Sequence, residues 1–201
     1  MLARVRQLDL YGAAAPSLDV EFAGARRTQI ADGAWIEHVP GWVRGHVVLF
    51  ERLRDRVAWR SERRIMYERE VDTPRLIASC DDPAAIDPLL ERARRLLEAR
   101  YSVALERVSF ALYRDGHDSV AEHGDTTARD LSEALVATVS LGQARRLLLR
   151  PTGGGASRAV SLGGGDLFVM GGSCQRTWRH GIPKVARPVG PRIAVMFRPV
   201  W

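Results

Sequence analysis

Residues 163–172, GGGDLFVMGG, are the clearest indication of the fold class, because a short apolar run lies between two groups of glycines. The four apolar residues at 167–170 are enough for one buried strand and too few for a buried helix. Glycines on both sides supply the tight turns that end such a strand. The segment therefore predicts a short strand inside a β structure.

Similar short apolar runs fill the rest of the second half of the chain. They lie at residues 108–113, 136–141, 147–149, 159–162 and 193–197. A further glycine cluster at 153–155 lacks the Lys-Ser/Thr ending of a phosphate-binding loop, so a hairpin turn is favoured there. Many short strands with Gly and Pro turns are typical of a β-sandwich or barrel. We predict a jelly-roll core over about residues 101–201.

The first half of the chain is predicted to support this core. Asp87 and Pro88 suit the cap and first turn of a helix, and the residues after them carry an apolar stripe at helical spacing. Residues 41–55 also show helical spacing. Charged and bulky side chains alternate along residues 57–76, which indicates a long exposed β-hairpin. Residues 8–17 have no regular pattern and are predicted to form an irregular arm.

These elements together predict one domain over residues 1–201. Its class is α+β, mainly β: a double-stranded β-helix, or jelly roll, with supporting helices. About residues 1–100 are expected to hold the arm, the hairpin and the supporting helix.

The chain is strongly basic, with a net charge of +6 and a sequence pI of about 10.1. Arginine supplies nearly all of this charge, since Lys184 is the only lysine. An arginine-rich domain can bind a polyanion such as DNA or RNA through its phosphates. A GC-rich genome also favours arginine, so charge by itself leaves both interpretations open.

Location and assembly are predicted from what the sequence lacks. No apolar run approaches the length of a membrane span, and the first residues show no cleavable leader. Cys80 and Cys174 stand far apart and form no CxxC pair, which favours reduced thiols. We expect a cytoplasmic monomer that does not bind membranes.

The strongest chemical signal is His123-Gly124-Asp125 followed by His180. Residues i and i+2 of an extended segment point to the same side, so His123 and Asp125 can bind one metal ion. His180 comes several strands later, as a third ligand on a facing strand would. Two histidines and one carboxylate form the facial triad of non-heme iron(II) oxygenases. A short HxD also occurs by chance, and a lone histidine is often structural.

Arg192 and Arg198 flank the apolar run at 193–197 and share one face of a strand. A buried arginine needs an anionic partner, and its planar fork matches a carboxylate. A dicarboxylate cosubstrate, an internal Asp or Glu and a phosphate each fit that requirement.

Four motifs in order resemble the catalytic core of the AlkB family of Fe(II)- and 2-oxoglutarate-dependent nucleic-acid demethylases. They are YRDGHDSVAEHGD at 113–125, VSLG at 139–142, GGDLFVMGGSCQRTWRHGIPK at 164–184 and PRIAVMFRP at 191–199. Upstream, RRIMYEREVDTPRL at 63–76 resembles the substrate-side hairpin of the family with its Pro-Arg pair.

The resemblance implies the roles of the site residues. His123, Asp125 and His180 would bind Fe(II), and 2-oxoglutarate would chelate that ion before O2 reacts. Arg192 would pair with the distal carboxylate of 2-oxoglutarate and Tyr113 would donate a hydrogen bond to it. Arg198 would lie near Asp125 and the cosubstrate.

The same resemblance implies an alkylated DNA or RNA substrate, whose target base is flipped out or single-stranded. The hairpin would then recognise the nucleotide through Tyr67, Pro74 and Arg75, with Thr126 near the base and Trp178 in the wall of the site. The products would be the repaired base, formaldehyde, succinate and CO2.

This chain departs from many relatives at three places. Ala111 and Ala194 stand where relatives carry asparagines that contact 2-oxoglutarate. Thr126 and Thr127 follow Asp125 where relatives often carry an acid, which weakens selection for a cationic base. Two alternatives remain open: an oxygenase of the same fold that hydroxylates a protein or small molecule, and an inactive fold that only binds nucleic acid.

Overall fold

The computed structural model describes residues 15–66, 69–124 and 131–200 of the chain. The strands are β1 (Ser17–Leu18), β2 (Arg26–Ala31), β3 (Ala34–Val39), β4 (Val43–Arg44), β5 (Arg60–Met66), β6 (Arg69–Cys80), β7 (Arg107–Tyr113), β8 (Val120–His123), β9 (Val136–Gly142), β10 (Arg145–Pro151), β11 (Arg158–Leu162), β12 (Leu167–Gly172), β13 (Trp178–Ile182) and β14 (Arg192–Arg198). The helices are α1 (His46–Arg56), α2 (Pro83–Ile86), α3 (Pro88–Tyr101) and α4 (Cys174–Thr177).

Two antiparallel sheets form the body of the molecule. The larger has the order β2-β3-β12-β9-β14-β7-β6-β5, and the smaller has the order β11-β10-β13-β8. Some strands that are neighbours in a sheet are distant in sequence, as when β14 lies between β9 and β7. This two-sheet, mainly β architecture with supporting helices confirms the predicted jelly-roll class.

Alternation along the central strands separates the two faces of the large sheet. On β14, Ile193, Val195 and Phe197 are fully buried in the cluster that includes the apolar faces of α1 and α3. The intervening Ala194 is buried in the other cluster, which includes residues of the small sheet. Because side chains of a strand alternate, one face holds the helices while the other is available for a site.

The supporting helix begins where the sequence predicts. The Asp87 carboxylate accepts a hydrogen bond from the backbone N–H of Leu89, and Pro88 occupies the first turn of α3. Leu90, Ala93 and Leu97 form its buried face. Within the described residues, no helix is long and apolar enough to cross a membrane.

One hairpin was missed from the sequence. Strands β2 and β3 pair through a turn at Asp32-Gly33, and Gly33 has a positive φ of 70°. An Asp-Gly pair between two strand-forming segments is a strong hairpin signal, because aspartate is common in turns and glycine adopts a positive φ at no steric cost. The pair of strands extends the large sheet at the β12 edge.

A buried charge network joins this hairpin to α3. Glu37 on β3 is 2% exposed and accepts hydrogen bonds from Arg27, Arg100 and the hydroxyl of Tyr101. Burial raises the pKa of Glu37, but the hydrogen bonds from Arg100, Tyr101 and Arg27 outweigh it and leave the pKa below its usual 4.5. The ionised carboxylate therefore fastens the edge of the large sheet to the end of the helix.

We expect Glu37→Gln to lower the free energy of unfolding by about 3 kcal/mol near neutral pH, because three donors lose a charged acceptor. A carboxylate with a lowered folded pKa contributes stability above its unfolded pKa and loses it as pH falls through the folded value. The difference in unfolding free energy between wild type and variant should thus have its full value above pH 4.5 and become smaller below it. Urea unfolding across this range measures it, with the exposed Glu21→Gln as control. A difference in unfolding free energy that does not change with pH would contradict the conclusion that Glu37 is ionised in the folded protein.

Candidate active site

The two predicted histidine ligands face each other across neighbouring strands. His123 at the end of β8 and His180 on β13 are cross-strand partners, and their ring centroids are 4.5 Å apart with 46° between the planes. His123 Nδ1 lies 2.9 Å from the carbonyl oxygen of Ala121. When Nδ1 donates this hydrogen bond, Nε2 keeps its lone pair for a metal ion, an arrangement common among metal-binding histidines.

The environment of His180 keeps its imidazole neutral. Burial, together with the nearby His123 and the positive charge of Arg198, lowers the pKa of His180 to about 3. A neutral ring is the form that binds a metal ion, so no proton has to be displaced from it near neutral pH.

The third predicted ligand, Asp125, lies outside the described residues, as does Thr126. Within the described residues, no group of three or more His, Cys, Asp or Glu side chains is placed to hold a metal ion. The structure therefore brings His123 and His180 together, and Asp125 stays a prediction. Two adjacent imidazoles, one already oriented through Nδ1, suit a borderline metal such as Fe(II).

Gly124, between His123 and Asp125, is packed too tightly for a side chain. A Cβ there would lie 2.6 Å from the carbonyl oxygen of Gln175 and 3.5 Å from that of Trp178. Gln175 belongs to α4, directly before β13, and Trp178 is the first residue of β13, so both carbonyls are close in the chain to His180. The glycine lets the end of β8 approach β13.

We expect Gly124→Ala to weaken metal binding about 10- to 100-fold, the usual cost of displacing a metal ligand's support. Titration with Mn(II), followed by electron paramagnetic resonance, measures the affinity directly. Gly153→Ala is a matched control, because nothing lies within 4 Å of a Cβ at that position. Equal affinities in the two variants would contradict the tight approach of β8 to β13.

Arg192 is an enclosed cation at the start of β14. It is 1% exposed, its Nε donates to the hydroxyl of Ser140 at 2.9 Å, and its guanidinium carbon lies 5.3 Å from the ring centroid of Tyr113. Tyr113 on β7 is its direct cross-strand partner. Among the described residues, no Asp or Glu forms an ion pair with it. Burial lowers the pKa of Arg192, yet a guanidinium stays charged in proteins.

A buried guanidinium without a carboxylate partner is costly unless an anion joins it. The sequence left three partners open for Arg192: an internal acid, a phosphate or a dicarboxylate. In the described part of the chain, no internal acid takes this role. The chemistry of the pocket around Arg192, Tyr113 and Ser140 fits one carboxylate of a small dicarboxylic acid.

The two alanine departures lie opposite each other. Ala111 on β7 and Ala194 on β14 are cross-strand partners, and both line the cavity described below. These two small side chains thus form a single apolar patch in the cavity wall. Arg198 Nη2 donates to the hydroxyl of Ser109 at 3.1 Å.

A cavity of about 640 Å³ unites these groups. Its lining includes His123, His180, Tyr113, Arg192 and Arg198. Ser79, Cys80 and Asp81 of the β6 end also line it, together with the arginines at 60, 75 and 107. This volume is typical of a site for a small ligand, and it leaves room for a cosubstrate beside a second group.

Only some of the residues predicted to contact the substrate lie in the described part of the chain. Arg75 lines the cavity, and its Nη1 donates to the carbonyl of Ser119 at 3.4 Å. Pro74 accepts a hydrogen bond from the backbone of Ser119, which joins β6 to the loop before β8. Tyr67 lies outside the described residues. Trp178 is buried in the cluster between the two sheets but is not among the described residues that line the cavity, so its place in the wall of the site stays a prediction.

Two functional candidates were missed from the sequence. Ser140, within the VSLG motif, is the hydroxyl partner of Arg192. Arg145 is 2% exposed and starts a strand on which Leu147 and Leu149 are also buried. The sequence RRLLLRP, residues 145–151, has no polar–apolar alternation, so only the structure shows that Arg145 shares the buried face of Leu147 and Leu149.

Comparison with known proteins finds similarity to 2OG-Fe(II) oxygenases. The family model of the 2OG-Fe(II) oxygenase superfamily matches residues 39–198. An uncharacterised protein of Acanthamoeba polyphaga mimivirus is 31% identical over 147 residues, which cover 72% of each chain. The human DNA oxidative demethylase ALKBH2 is 28% identical over 121 residues, 56% of this chain and 46% of that protein. The match thus spans about half of the human relative.

Solved structures share the fold. That of OsALKBH1 has a TM-score of 0.60 at 13% identity and covers 87% of this chain. A 2OG-Fe(II) oxygenase family oxidoreductase from Burkholderia pseudomallei has a TM-score of 0.55 at 14% identity and covers 89%.

Proposed function

This chain belongs to the 2OG-Fe(II) oxygenase superfamily, and we propose that it is an oxidative demethylase of N-alkylated bases in DNA or RNA. It is an AlkB-like 2-oxoglutarate-dependent dioxygenase, an oxidoreductase that uses Fe(II), 2-oxoglutarate and O2. One observation carries the proposal: a histidine pair and the enclosed Arg192 line one cavity, whose other lining residues include four more arginines.

In this proposal His123, Asp125 and His180 hold the iron. The bound metal and cosubstrate supply oxidation of the N-methyl group, after which formaldehyde leaves the repaired base. His123 and His180 contribute neutral nitrogen ligands from facing strands. Gly124 permits the approach of those strands.

Arg192 and Tyr113 orient the cosubstrate. The guanidinium pairs with the distal carboxylate of 2-oxoglutarate, and the Tyr113 hydroxyl donates a hydrogen bond to the same group. Ser140 fixes the direction of Arg192 through its Nε. Arg198, on the same face of β14 as Arg192, lines the cavity and lies near enough to His180 for its positive charge to act on that ring. Leu147, Leu162, Phe168 and Met170 add apolar surface to the cavity wall, which limits the access of water to the bound groups.

The substrate side is assigned to the hairpin β5–β6 and its neighbours. Arg60, Arg75 and Arg107 would contact the phosphate backbone, since arginine pairs well with phosphate oxygens. Tyr67 and Pro74 would pack against the flipped or unpaired base. Thr126 would meet the base with a neutral hydroxyl. The names of the human and mouse relatives, DNA oxidative demethylase ALKBH2 and alpha-ketoglutarate-dependent dioxygenase alkB homolog 3, support this class.

The test is a single anaerobic incubation with Fe(II) and 2-oxoglutarate, followed by oxygen and methylated oligonucleotides. The oligonucleotides are single-stranded or duplex DNA or RNA that contain N-methyladenine or N-methylcytosine. Their masses are measured after the reaction. We expect loss of one methyl group per succinate and release of formaldehyde. If succinate forms but no oligonucleotide changes in mass, the proposed nucleic-acid substrate is wrong, and a protein or small-molecule hydroxylase is favoured.

A further inference from the structure

Arg145 is a second enclosed arginine, on the small sheet. It is 2% exposed, and its guanidinium carbon lies 5.6 Å from the ring centroid of Tyr113. In the part of the chain that the structure describes, no Asp or Glu forms an ion pair with it. The carboxylate of the nearby Asp118 is held instead by Arg114, through two contacts of 2.8 and 2.9 Å.

The guanidinium of Arg145 bonds to backbone. Its Nη1 donates to the carbonyl oxygen of Asp115 at 2.9 Å, and its Nη2 donates to those of Asp118 at 2.9 Å and Pro183 at 2.8 Å. Charged donors make the stronger hydrogen bonds, and a planar fork fixes the relative positions of its acceptors.

Those three carbonyls stand at the ends of the strands that build the site. Asp115 and Asp118 belong to the loop between β7, which ends at Tyr113, and β8, which ends at His123. Pro183 directly follows β13, the strand of His180. Arg145 therefore ties together loop ends from both sheets, next to the cosubstrate tyrosine.

Charge gives Arg145 a further effect. Tyr113 lies near both Arg145 and Arg192, with ring-to-guanidinium distances of 5.6 and 5.3 Å. The positive charge of Arg145 contributes, after burial, to the lowered pKa of Arg192, so the two cations share one region. An anion bound at Arg192 is then attracted by both.

We propose that Arg145 is a positioning residue for the cosubstrate. It holds Tyr113 and the adjoining loops in place and adds a second positive charge behind the carboxylate subsite. This inference rests on the cosubstrate site of the proposed function. Arg145 itself does not touch the reacting atoms.

The test compares Arg145→Met with Arg146→Met, a control at the exposed neighbouring position of the same strand. The affinity of the Mn(II)-loaded protein for 2-oxoglutarate is measured by calorimetry without oxygen. We expect Arg145→Met to weaken this affinity about tenfold or more, the scale of a lost charged hydrogen bond. Mn(II) affinity should change less than about threefold, because His123 and His180 lie three or more residues from the loop ends. Arg146→Met should match wild type.

A double-mutant cycle with Tyr113→Phe separates positioning from general loss of structure. If Arg145 acts through Tyr113, the loss from Arg145→Met should be smaller in the Tyr113→Phe background than in wild type. Should Arg145→Met fail to fold, Arg145→Lys replaces it. That variant keeps the charge but loses the fork, so it should bind 2-oxoglutarate more weakly than wild type.

Three results would overturn the inference: unchanged 2-oxoglutarate affinity in a folded Arg145 variant, equal losses of metal and cosubstrate affinity, or strict additivity with Tyr113→Phe. A wild-type protein that binds Mn(II) but no 2-oxoglutarate would instead overturn the proposed cosubstrate site. The two failures are therefore distinct.

Discussion

Replacing His180 with alanine is expected to lower 2-oxoglutarate-dependent formaldehyde release at least about 100-fold, because one of the proposed metal ligands is lost. The variant should also bind the metal more weakly. Because His180 faces His123 with 4.5 Å between ring centroids, its Mn(II) affinity should fall even when oxygen is absent. Titration of the metal and measurement of formaldehyde on the same preparation give both numbers.

His117→Ala is the matched control for this experiment. His117 is exposed, lies in the loop before β8 and is outside the cavity lining. Its loss should leave metal affinity and formaldehyde release near the wild-type values. If His180→Ala retains wild-type metal affinity while His117→Ala loses it, the proposed metal centre is wrong.

The second large effect is expected from Arg192→Met. Removing one partner of an enclosed charge pair costs about 2–5 kcal/mol, and each 1.4 kcal/mol is about tenfold in affinity. The KM for 2-oxoglutarate should therefore rise about 100-fold, whereas Mn(II) affinity should change little. Steady-state succinate formation and calorimetry with Mn(II) report the two quantities separately.

Arg158→Met, on the exposed edge strand β11, controls for the loss of one positive charge. Its KM for 2-oxoglutarate should stay at the wild-type value. Arg192→Lys should recover part of the affinity, since it restores the charge without the planar fork. Equal KM values in Arg192→Met and wild type would exclude Arg192 as the carboxylate partner.

Much of the fold followed from local pattern. All six predicted apolar runs of the second half lie within strands, and Asp87 caps the helix it was predicted to cap. Local signals sufficed there because alternation and capping act within a few residues. The β2–β3 hairpin was missed although Asp32-Gly33 marks its turn, because the polar strand β2 is mostly exposed and shows no apolar alternation.

The candidate site was predictable in part. Spacing and motif order indicated His123, His180, Tyr113 and Arg192, and these four line one cavity. Asp125, Tyr67 and Thr126 lie outside the described residues and stay predictions. Ser140 and Arg145 were not found, since their partners are 52 residues or several strands away.

Local sequence pattern was enough to predict the strands and the alternation that turns Arg192 and Arg198 to one face. Family membership also followed from linked motifs. Which strands became neighbours, in contrast, depended on the folded arrangement of the whole sheet. His123 faces His180, Tyr113 faces Arg192 and Ala111 faces Ala194 because pairing between distant strands sets these registers. Such pairing depends on burying the whole sheet face at once, which no short stretch of sequence encodes.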